Sequence, residues 1–262
     1  MKALFAALIT TLVGIFFAAQ PATSAPSEKP TVVLVHGAFA DSSSWYQVVG
    51  ILEHDGYRVV ALANPLRGVK SDGAYVHAFL STIKTPVVLV GHSYGGMVIS
   101  NAANGVPNVK SLVFVAAFAP EAGESAGALD SKFPGSLLGP ALAPPVPLPD
   151  GGHDLYVLQD KFGAAFAPDV PAANASLAGA TQRPITDIAF AEAATEPAWK
   201  TIPSWFVYGD HDTAIPPKLH AWMAERAHAR ETVVVPGASH VVMISHPDAV
   251  AKVIEDAAAA QR

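Results

Sequence analysis

The sequence has no cysteine, so no disulfide bond can form within the chain and no lipid can be attached at a lipoprotein cysteine. Charge is also sparse: 15% of the 262 residues are charged, against 51% that are hydrophobic, with no long charged run and no short repeat. This balance indicates an ordinary globular protein and argues against a disordered chain. The formal net charge of −6 provides no basic face, so the composition excludes nucleic acid as a partner. A chain of this length is expected to form one large domain.

The N-terminus differs from the rest of the chain. A positive start, "MK", is followed by the apolar stretch "ALFAALITTLVGIFFAA" and then by "QPATSAPSEKP", which is rich in small residues and proline. These are the three parts of a secretory signal peptide. We therefore predict that residues 1–25 are a signal peptide cleaved after Ser24 or Ala25, that the protein is exported to the periplasm or secreted, and that no stable membrane span remains. An uncleaved membrane anchor is the alternative, since the apolar stretch nearly reaches the shortest length that spans a bilayer.

After this segment, short apolar runs alternate with helical patterns. Hydrophobic residues recur at i, i+3, i+4 and i+7 in residues 45–52, 76–83 and 250–257, as on the buried face of an amphipathic helix. Six other runs are rich in β-branched residues and apolar on both faces, as buried parallel strands are. These runs are TVVLV (31–35), RVVAL (58–62), PVVLV (86–90), SLVFV (111–115), SWFVY (204–208) and ETVVV (231–235). The alternation predicts an α/β fold with a doubly wound, mostly parallel sheet that is covered by helices on both faces.

One region interrupts this alternation. No strong strand pattern occurs between residue 120 and about residue 200, and residues 134–152, "PGSLLGPALAPPVPLPDGG", contain too much proline and glycine for regular structure. Because the strand pattern resumes afterwards, we interpret residues 121–199 as a cap or lid inserted between two parts of the core, 31–120 and 200–260. A disordered loop is the alternative. A lid in this position would border the ends of the strands, where such sheets bind their ligands.

The sequence "GHSYGG", residues 91–96, lies between a predicted strand and a predicted helix. It matches G-x-S-x-G, in which a serine on a tight strand-to-helix turn is held in a strained conformation that projects its hydroxyl beyond the sheet. Glycines at positions 91 and 95 keep such a turn free of clashes, and Gly96 would let the helix pack closely. The motif therefore predicts Ser93 as a nucleophile.

A serine nucleophile needs a base, and ten histidines are available. His240 follows the last predicted strand in "VPGASHVVM", from where its ring could reach back over the strand ends, so it is the candidate base. His92 adjoins the serine, and its position on a tight turn favours a packing role. His220 and His228 lie on a helix expected at the surface, and His246 precedes a helix, so we expect these three side chains to be solvated.

The base in turn needs a carboxylate that fixes its tautomer and stabilises its protonated form. "VYGDHDTAIP" offers Asp210 and Asp212, which position alone does not distinguish; the order Ser, Asp, His along the chain suits this architecture. A metal site in "GDHD" is the alternative, but no second cluster at ligand spacing supports it. For an oxyanion hole, one donor is expected to be the backbone N–H of Tyr94, and the other that of Ala38 in the loop "HGAFADSSSW" after the first strand.

Together these segments resemble the α/β-hydrolase superfamily. "VLVHGAFADSSSWYQVVGILEHDGYRVVAL", "VGHSYGGMV", "VFVAAFAP", "DTAIP" and "PGASHVVM" resemble, more narrowly, the branch of plant methyl esterases and hydroxynitrile lyases and related bacterial esterase-like proteins. In that branch the catalytic aspartate stands four residues before a proline, which implies Asp212, four residues before Pro216, and not Asp210. Its hydroxynitrile lyases carry a lysine directly after the catalytic histidine, where this chain has Val241, so the resemblance argues against cyanohydrin cleavage. The likeness covers most of residues 31–258 and is weakest in the inserted segment.

The motifs and the resemblance imply a serine esterase with the triad Ser93, His240 and Asp212, which cleaves a small-molecule ester through an acyl-enzyme and needs no metal or organic cofactor. A cofactor-free perhydrolase or haloperoxidase-type activity, or a lactonase or amidase activity, would use the same triad. A hydrolase homologue that only binds a ligand is the alternative from another class. Apolar residues of the insertion, and Phe39 beside the predicted oxyanion loop, suggest a hydrophobic substrate. The sequence identifies neither the ester nor the oligomeric state.

Overall fold

The computed structural model describes residues 29–149 and 151–261, so the predicted signal peptide at residues 1–25 lies outside the described residues. The described strands are β1 (Thr31–Val35), β2 (Arg58–Leu62), β3 (Val87–His92), β4 (Val109–Val115), β5 (Val146–Pro147), β6 (His153–Leu155), β7 (Ile185–Thr186), β8 (Ser204–Gly209) and β9 (Glu231–Val235). Six of them form one parallel sheet in the order β2-β1-β3-β4-β8-β9. These six correspond to the six predicted runs, and the predicted α/β fold is confirmed.

Helices flank the sheet. The described α-helices are α1 (Tyr46–His54), α2 (Val69–Leu80), α3 (Gly95–Ala102), α4 (Ala126–Asp130), α5 (Leu138–Ala141), α6 (Gln159–Phe166), α7 (Ala172–Thr181), α8 (Asp187–Ala191), α9 (Pro217–Arg226), α10 (Val242–Ser245) and α11 (Pro247–Ala259). α1 packs against α11, whereas α2 packs against α3. The face of α11 that the sequence pattern picked out, Val250, Val253, Ile254 and Ala257, is buried. No helix among the described residues combines the length and the apolar character that a membrane crossing requires.

The strand order places two loops side by side at one edge of the sheet. From β1 the chain moves outward to β2 and then returns to β3 on the other side of β1. Val35, at the end of β1, pairs with Gly91 near the end of β3. The loops after β1 and β3 therefore leave the sheet side by side, at the carboxyl ends of the strands, where sheets of this kind form a ligand-binding crevice.

Between β4 and β8 the chain forms an insertion of five short helices, α4 to α8, and a three-stranded antiparallel sheet, β5-β6-β7. The expectation that residues 134–152 are irregular is wrong in part, because they contain α5 and β5. α5 accommodates Pro140 because the first turn of a helix needs no hydrogen bond from its N–H groups. The division of the chain into core and cap stays a prediction.

Backbone hydrogen bonds fasten the insertion to the loops at the crevice. The N–H of Phe39 donates to the carbonyl oxygen of Arg183 at 3.0 Å, and the N–H of Leu137 donates to that of Thr213 at 2.8 Å. The insertion is thus joined to the loop after β1 and to the loop after β8.

Candidate active site

Ser93 lies on a sharp turn between β3 and α3, in a strained backbone conformation. Its φ of +53° is in the left-handed region, which residues with a Cβ rarely adopt. The turn has no room for side chains at its glycines: a Cβ at Gly91 would come within 2.6 Å of the Gly95 carbonyl oxygen, and one at Gly96 would overlap the Phe118 carbonyl oxygen. Strained residues of this kind cluster at functional sites, where the surrounding structure enforces them.

Asp212 and His240 are in contact at the same edge of the sheet. His240 Nδ1 lies 2.8 Å from Asp212 Oδ2, and both residues are buried. Since an ionised carboxylate can only accept hydrogen bonds, Nδ1 carries the ring hydrogen and Nε2 is bare. His240 Nε2 is buried and has no hydrogen-bond partner among the described residues. A bare ring nitrogen is the group that a general base presents to a hydroxyl.

Ser93 is linked to His240 through its neighbour His92. His92 Nε2 donates to the backbone carbonyl of His240 at 3.1 Å, and the centroids of the two rings are 4.8 Å apart. Burial and then the charge of His240 hold the pKa of His92 well below its usual range, so the His92 ring is neutral and serves as packing. Within the described chain no hydrogen bond joins the Ser93 hydroxyl to His240; such hydrogen bonds often tighten only when substrate binds.

Four donors surround the carboxylate of Asp212. Oδ1 accepts from the N–H groups of Ala214 at 2.9 Å and Ile215 at 2.8 Å, whereas Oδ2 accepts from His240 and, at 3.0 Å, from His220 Nε2. Burial alone would raise the pKa of Asp212, but the charge of His240 and the hydrogen bonds from both histidines outweigh it and hold this pKa well below its usual range. Asp212 is therefore an anion at neutral pH, although it is buried.

The expectation that His220 is solvated is wrong. Its side chain is 1% exposed, its ring stacks on Tyr208 with centroids 4.8 Å apart, and its Nε2 donates to Asp212. α9 turns His220 inward because it shares a face with Met223 and Ala224, three and four residues further on, which are buried as well.

Asp210, the other carboxylate of the loop after β8, lies outside this cluster. It is exposed, and its Oδ1 accepts from the N–H of Gly237 at 2.6 Å and contacts His211 Nδ1 at 2.6 Å. Its hydrogen bonds thus hold a turn after β9. His228 is exposed and His246 partly exposed. Among the described residues, no group of three or more His, Asp or Glu side chains is arranged to hold a metal ion.

Two backbone N–H groups beside Ser93 have no acceptor. Ala38 and Tyr94 are buried, and neither amide donates a hydrogen bond to another described residue. Buried N–H groups without a partner are rare in folded proteins, so this pair is a candidate site for a negative oxygen. The loop that carries Ala38 lies directly on the turn, since a Cβ at Gly37 would come within 2.6 Å of Ser93 Cβ. On the other side, the Tyr94 hydroxyl donates to Asp72 of α2 at 2.9 Å, which anchors the turn.

Two polar contacts that the sequence did not indicate support these loops. Asp169, in the insertion, accepts from the N–H of Ser239 at 2.9 Å and from its hydroxyl, in the loop that carries the candidate base. The ring of His36 accepts from the N–H of Asn64 at 3.0 Å and donates to the carbonyl of Gly37 at 2.9 Å, which fixes the loop after β1. Asp169 and Ser239 are 70 residues apart and His36 and Asn64 are 28 apart, so nothing in the sequence could have paired them.

An apolar cavity of about 400 Å³ lies beside the candidate base, between the insertion and the loop after β1. Its lining includes Phe39, Phe166 and Val241, but neither Ser93 nor any lysine or arginine. Phe166 also contacts the His240 ring, with centroids 4.9 Å apart, and meets the Phe39 ring edge-on at 6.1 Å. The Phe166 ring therefore lies between the cavity and the candidate base, with Phe39 packed against it.

The chain is similar to proteins of known family and fold. The Alpha/beta hydrolase family matches residues 32–253 of the chain. The chain belongs to this family. The alpha-hydroxynitrile lyase of Arabidopsis thaliana is 28% identical to this hydrolase over 237 residues, which cover 82% of this chain and 92% of that protein. Methylesterase 8 of Arabidopsis thaliana is 25% identical over 247 residues, which cover 84% of this chain and 86% of that protein.

The crystal structure of polyneuridine aldehyde esterase has the same fold as this hydrolase. It matches with a TM-score of 0.74 and 21% identity, covering 87% of this chain and 98% of that chain. The predicted resemblance to the branch of plant methyl esterases and hydroxynitrile lyases is confirmed. The relatives of the hydrolase include esterases, such as methylesterase 8, which supports ester hydrolysis in general and a small-molecule substrate.

Proposed function

We propose that this hydrolase is a serine esterase that cleaves a hydrophobic carboxylic ester through an acyl-enzyme. Ser93 attacks the ester carbonyl while His240 Nε2 accepts its proton, and Asp212 stabilises the imidazolium that forms. The negative oxygen of the tetrahedral intermediate accepts hydrogen bonds from the N–H groups of Ala38 and Tyr94. His240 then gives the proton to the leaving alcohol and activates the water that releases the acid from the serine.

This proposal rests on three polar groups at one edge of the sheet that have no hydrogen-bond partner among the described residues. His240 Nε2 and the N–H groups of Ala38 and Tyr94 are buried without partners among the described residues, whereas folded proteins satisfy nearly all such groups. A tetrahedral intermediate on Ser93 would satisfy all three, because its oxyanion accepts from both amides while its leaving oxygen accepts from the protonated ring. A purely structural role would leave all three unexplained.

The apolar cavity supports the hydrophobic part of the proposal. A long apolar group attached to the reacting carbonyl would displace the rings of Phe39 and Phe166 and extend into the cavity. Burying a methylene group contributes about 0.8 kcal/mol. Four additional methylenes would therefore raise kcat/KM by roughly two-hundredfold, since 1.36 kcal/mol corresponds to a factor of ten.

Ser93→Ala tests the chemistry. We expect kcat on p-nitrophenyl butyrate to fall by about 10⁴ or more and a fluorophosphonate probe to label the parent but not this variant. The matched control is Ser100→Ala in α3, because Ser100 is also buried and its hydroxyl has no hydrogen-bond partner among the described residues; it should retain parental turnover. If Ser93→Ala is as active as the parent, the esterase mechanism is wrong. Peroxide-dependent bromination that exceeds ester hydrolysis would instead favour a perhydrolase.

Ala178→Trp tests the cavity. Ala178 lines the cavity from α7, and Ala180 is an exposed alanine of the same helix outside it. Ala178→Trp should lower kcat/KM for p-nitrophenyl octanoate by about a hundredfold and leave that for the acetate unchanged, while Ala180→Trp should change neither. A parallel series of acetate esters with longer alcohols shows whether the acyl or the alcohol group occupies the cavity. Equal effects of Ala178→Trp on short and long esters of both series would contradict the assignment.

A further inference from the structure

We propose that His220 is a positioning residue of this site, which fixes the Asp212 carboxylate by donating from Nε2 to Oδ2 and so orients His240. The role rests on the proposed function, because His220 touches no reacting atom and acts only through Asp212.

The first argument is that two imidazole rings share one carboxylate oxygen. Asp212 Oδ2 lies 2.8 Å from His240 Nδ1 and 3.0 Å from His220 Nε2. Two backbone N–H groups occupy Oδ1. The roughly four lone-pair sites of the carboxylate are therefore all used, and the group cannot rotate without losing hydrogen bonds. Without His220, only His240 would restrain Oδ2. The carboxylate that orients His240 would then be fixed on this side by His240 alone.

The second argument is that the fold holds His220 rigidly. Its ring stacks on Tyr208 of β8, with an angle of 24° between the ring planes. Asp212 lies in the loop directly after β8, and α9 begins at Pro217, only three residues before His220. Donor and acceptor are thus anchored to the same strand, and their side chains are 1% and 0% exposed. A flexible or solvated histidine could not fix a carboxylate in this way.

The third argument is electrostatic and gives the contact a measurable signature. The N–H groups of His220 and His240 both donate to Asp212 Oδ2. When the donor of His220 is removed, Oδ2 becomes a stronger acceptor for His240. The hydrogen bond from His240 Nδ1 to Oδ2 would then be stronger, and the Nδ1 proton would resonate further downfield. The other titratable groups that face this cluster are His92 on β3, Asp130 at the end of α4 and Tyr208. Substitution of His220 leaves all of them in place.

The test compares three variants of His220. His220→Gln keeps a donor at nearly the same distance from the backbone, His220→Phe keeps the stacked ring without a donor, and His220→Asn is polar but too short to reach. We expect His220→Gln to stay within threefold of the parent. His220→Phe and His220→Asn should lose about tenfold in kcat with KM unchanged, since small misplacements of catalytic groups have effects of this order.

A spectroscopic measurement separates this proposal from the esterase proposal. The Nδ1 proton of His240 gives a low-field proton resonance, which should move further downfield in His220→Phe and stay in place in His220→Gln, whether or not the protein turns over esters. If the fluorophosphonate does not label the parent at Ser93, the esterase mechanism is wrong. The position of this resonance is then the measurement that decides whether His220 positions Asp212. If His220→Gln and His220→Phe behave alike, or if KM changes while kcat does not, His220 only fills space and the proposal is wrong. Should His220→Phe not fold, the comparison of Gln with Asn gives the same decision.

Discussion

Asp212→Asn keeps the shape of the side chain, and the geometry predicts that it nevertheless causes a large loss of kcat. Asparagine has one oxygen where aspartate has two, and this oxygen must accept from the N–H groups of Ala214 and Ile215. Its NH₂ group then faces His240 and His220, which both donate to the aspartate in the parent. Two donors cannot bond to each other, so His240 would have to place its hydrogen on Nε2 and leave Nδ1 bare.

The magnitude follows from this change of tautomer. In the proposed mechanism His240 with a hydrogen on Nε2 cannot accept the proton of Ser93, so general-base catalysis would be lost although every residue stays in place. A triad with the wrong tautomer loses about 10⁴ in kcat, which corresponds to about 5.5 kcal/mol of transition-state stabilisation. KM should change little, because Asp212 is buried and does not line the cavity.

The assay is steady-state hydrolysis of p-nitrophenyl butyrate, with thermal unfolding recorded for each variant. Asp210→Asn is the matched control, because Asp210 is in the same loop but bonds to His211 and Gly237 instead; it should stay within threefold of the parent. The reasoning is refuted if Asp212→Asn, correctly folded, keeps more than a tenth of parental kcat, or if Asp210→Asn loses as much.

Gly96→Ala should lower the free energy of unfolding by about 3 kcal/mol, roughly 10 °C in Tm, because the new Cβ overlaps the Phe118 carbonyl oxygen. Gly50→Ala, with open space around it on the exposed face of α1, should instead raise that free energy by about 0.5–1 kcal/mol. Asp169→Asn should lower Tm at pH 7, because Ser239 loses a charged acceptor. Burial would raise the pKa of Asp169, but the hydrogen bonds from Ser239 lower it overall. That stabilisation is complete above the unfolded pKa of about 3.9 and is lost as pH falls through the folded pKa, so the gap in Tm should be constant above about pH 5 and close in acid.

Thermal unfolding followed by circular dichroism measures the Tm of all three variants, Gly96→Ala, Gly50→Ala and Asp169→Asn. Equal Tm values for the two alanine variants would contradict the account of the turn, and a gap for Asp169→Asn that persists unchanged at pH 3 would contradict the charged contact.

The inner strands of the central sheet could be predicted because a strand buried on both faces must be apolar at every position. The edge strands β2 and β9 are partly exposed, but their β-branched residues favour a strand as well. The ends of β3, β4 and β8 differ from the predicted runs, that of β8 by the single residue Gly209. β3 continues through Gly91 and His92 because they pair with Phe114 and Val115 of β4, yet a glycine and a histidine look like the end of a strand. β4 begins at Val109, but the exposed Lys110 breaks its apolar run.

In the site, the residues that a motif marks could be named from sequence, whereas partners chosen by packing could not. Ser93 and the amide after it follow from the glycine pattern, and His240 from its place after the last strand. The expectation that His220 is solvated followed from placing α9 at the surface of the protein. Its spacing of three and four residues from Met223 and Ala224 was the available signal for a buried face.

The secondary structure of the insertion could not be predicted from its sequence, for a physical reason. Its strands are two or three residues long, which is too short for a periodic pattern, and its helices are mostly one to three turns. Contacts with the rest of the protein, such as that of Asp169 with Ser239, fix its conformation.

The attachment of the insertion through backbone groups has a consequence for protein engineering. The hydrogen bonds from Phe39 to Arg183 and from Leu137 to Thr213 join main-chain atoms, and such bonds are available to any residue except proline on the donor side. Side chains on the cavity face of α6 and α7 can therefore be randomised while these main-chain bonds to the loops after β1 and β8 are kept. If the proposed esterase activity holds, variant libraries directed to that face, and not to the loops themselves, should yield enzymes that accept other esters.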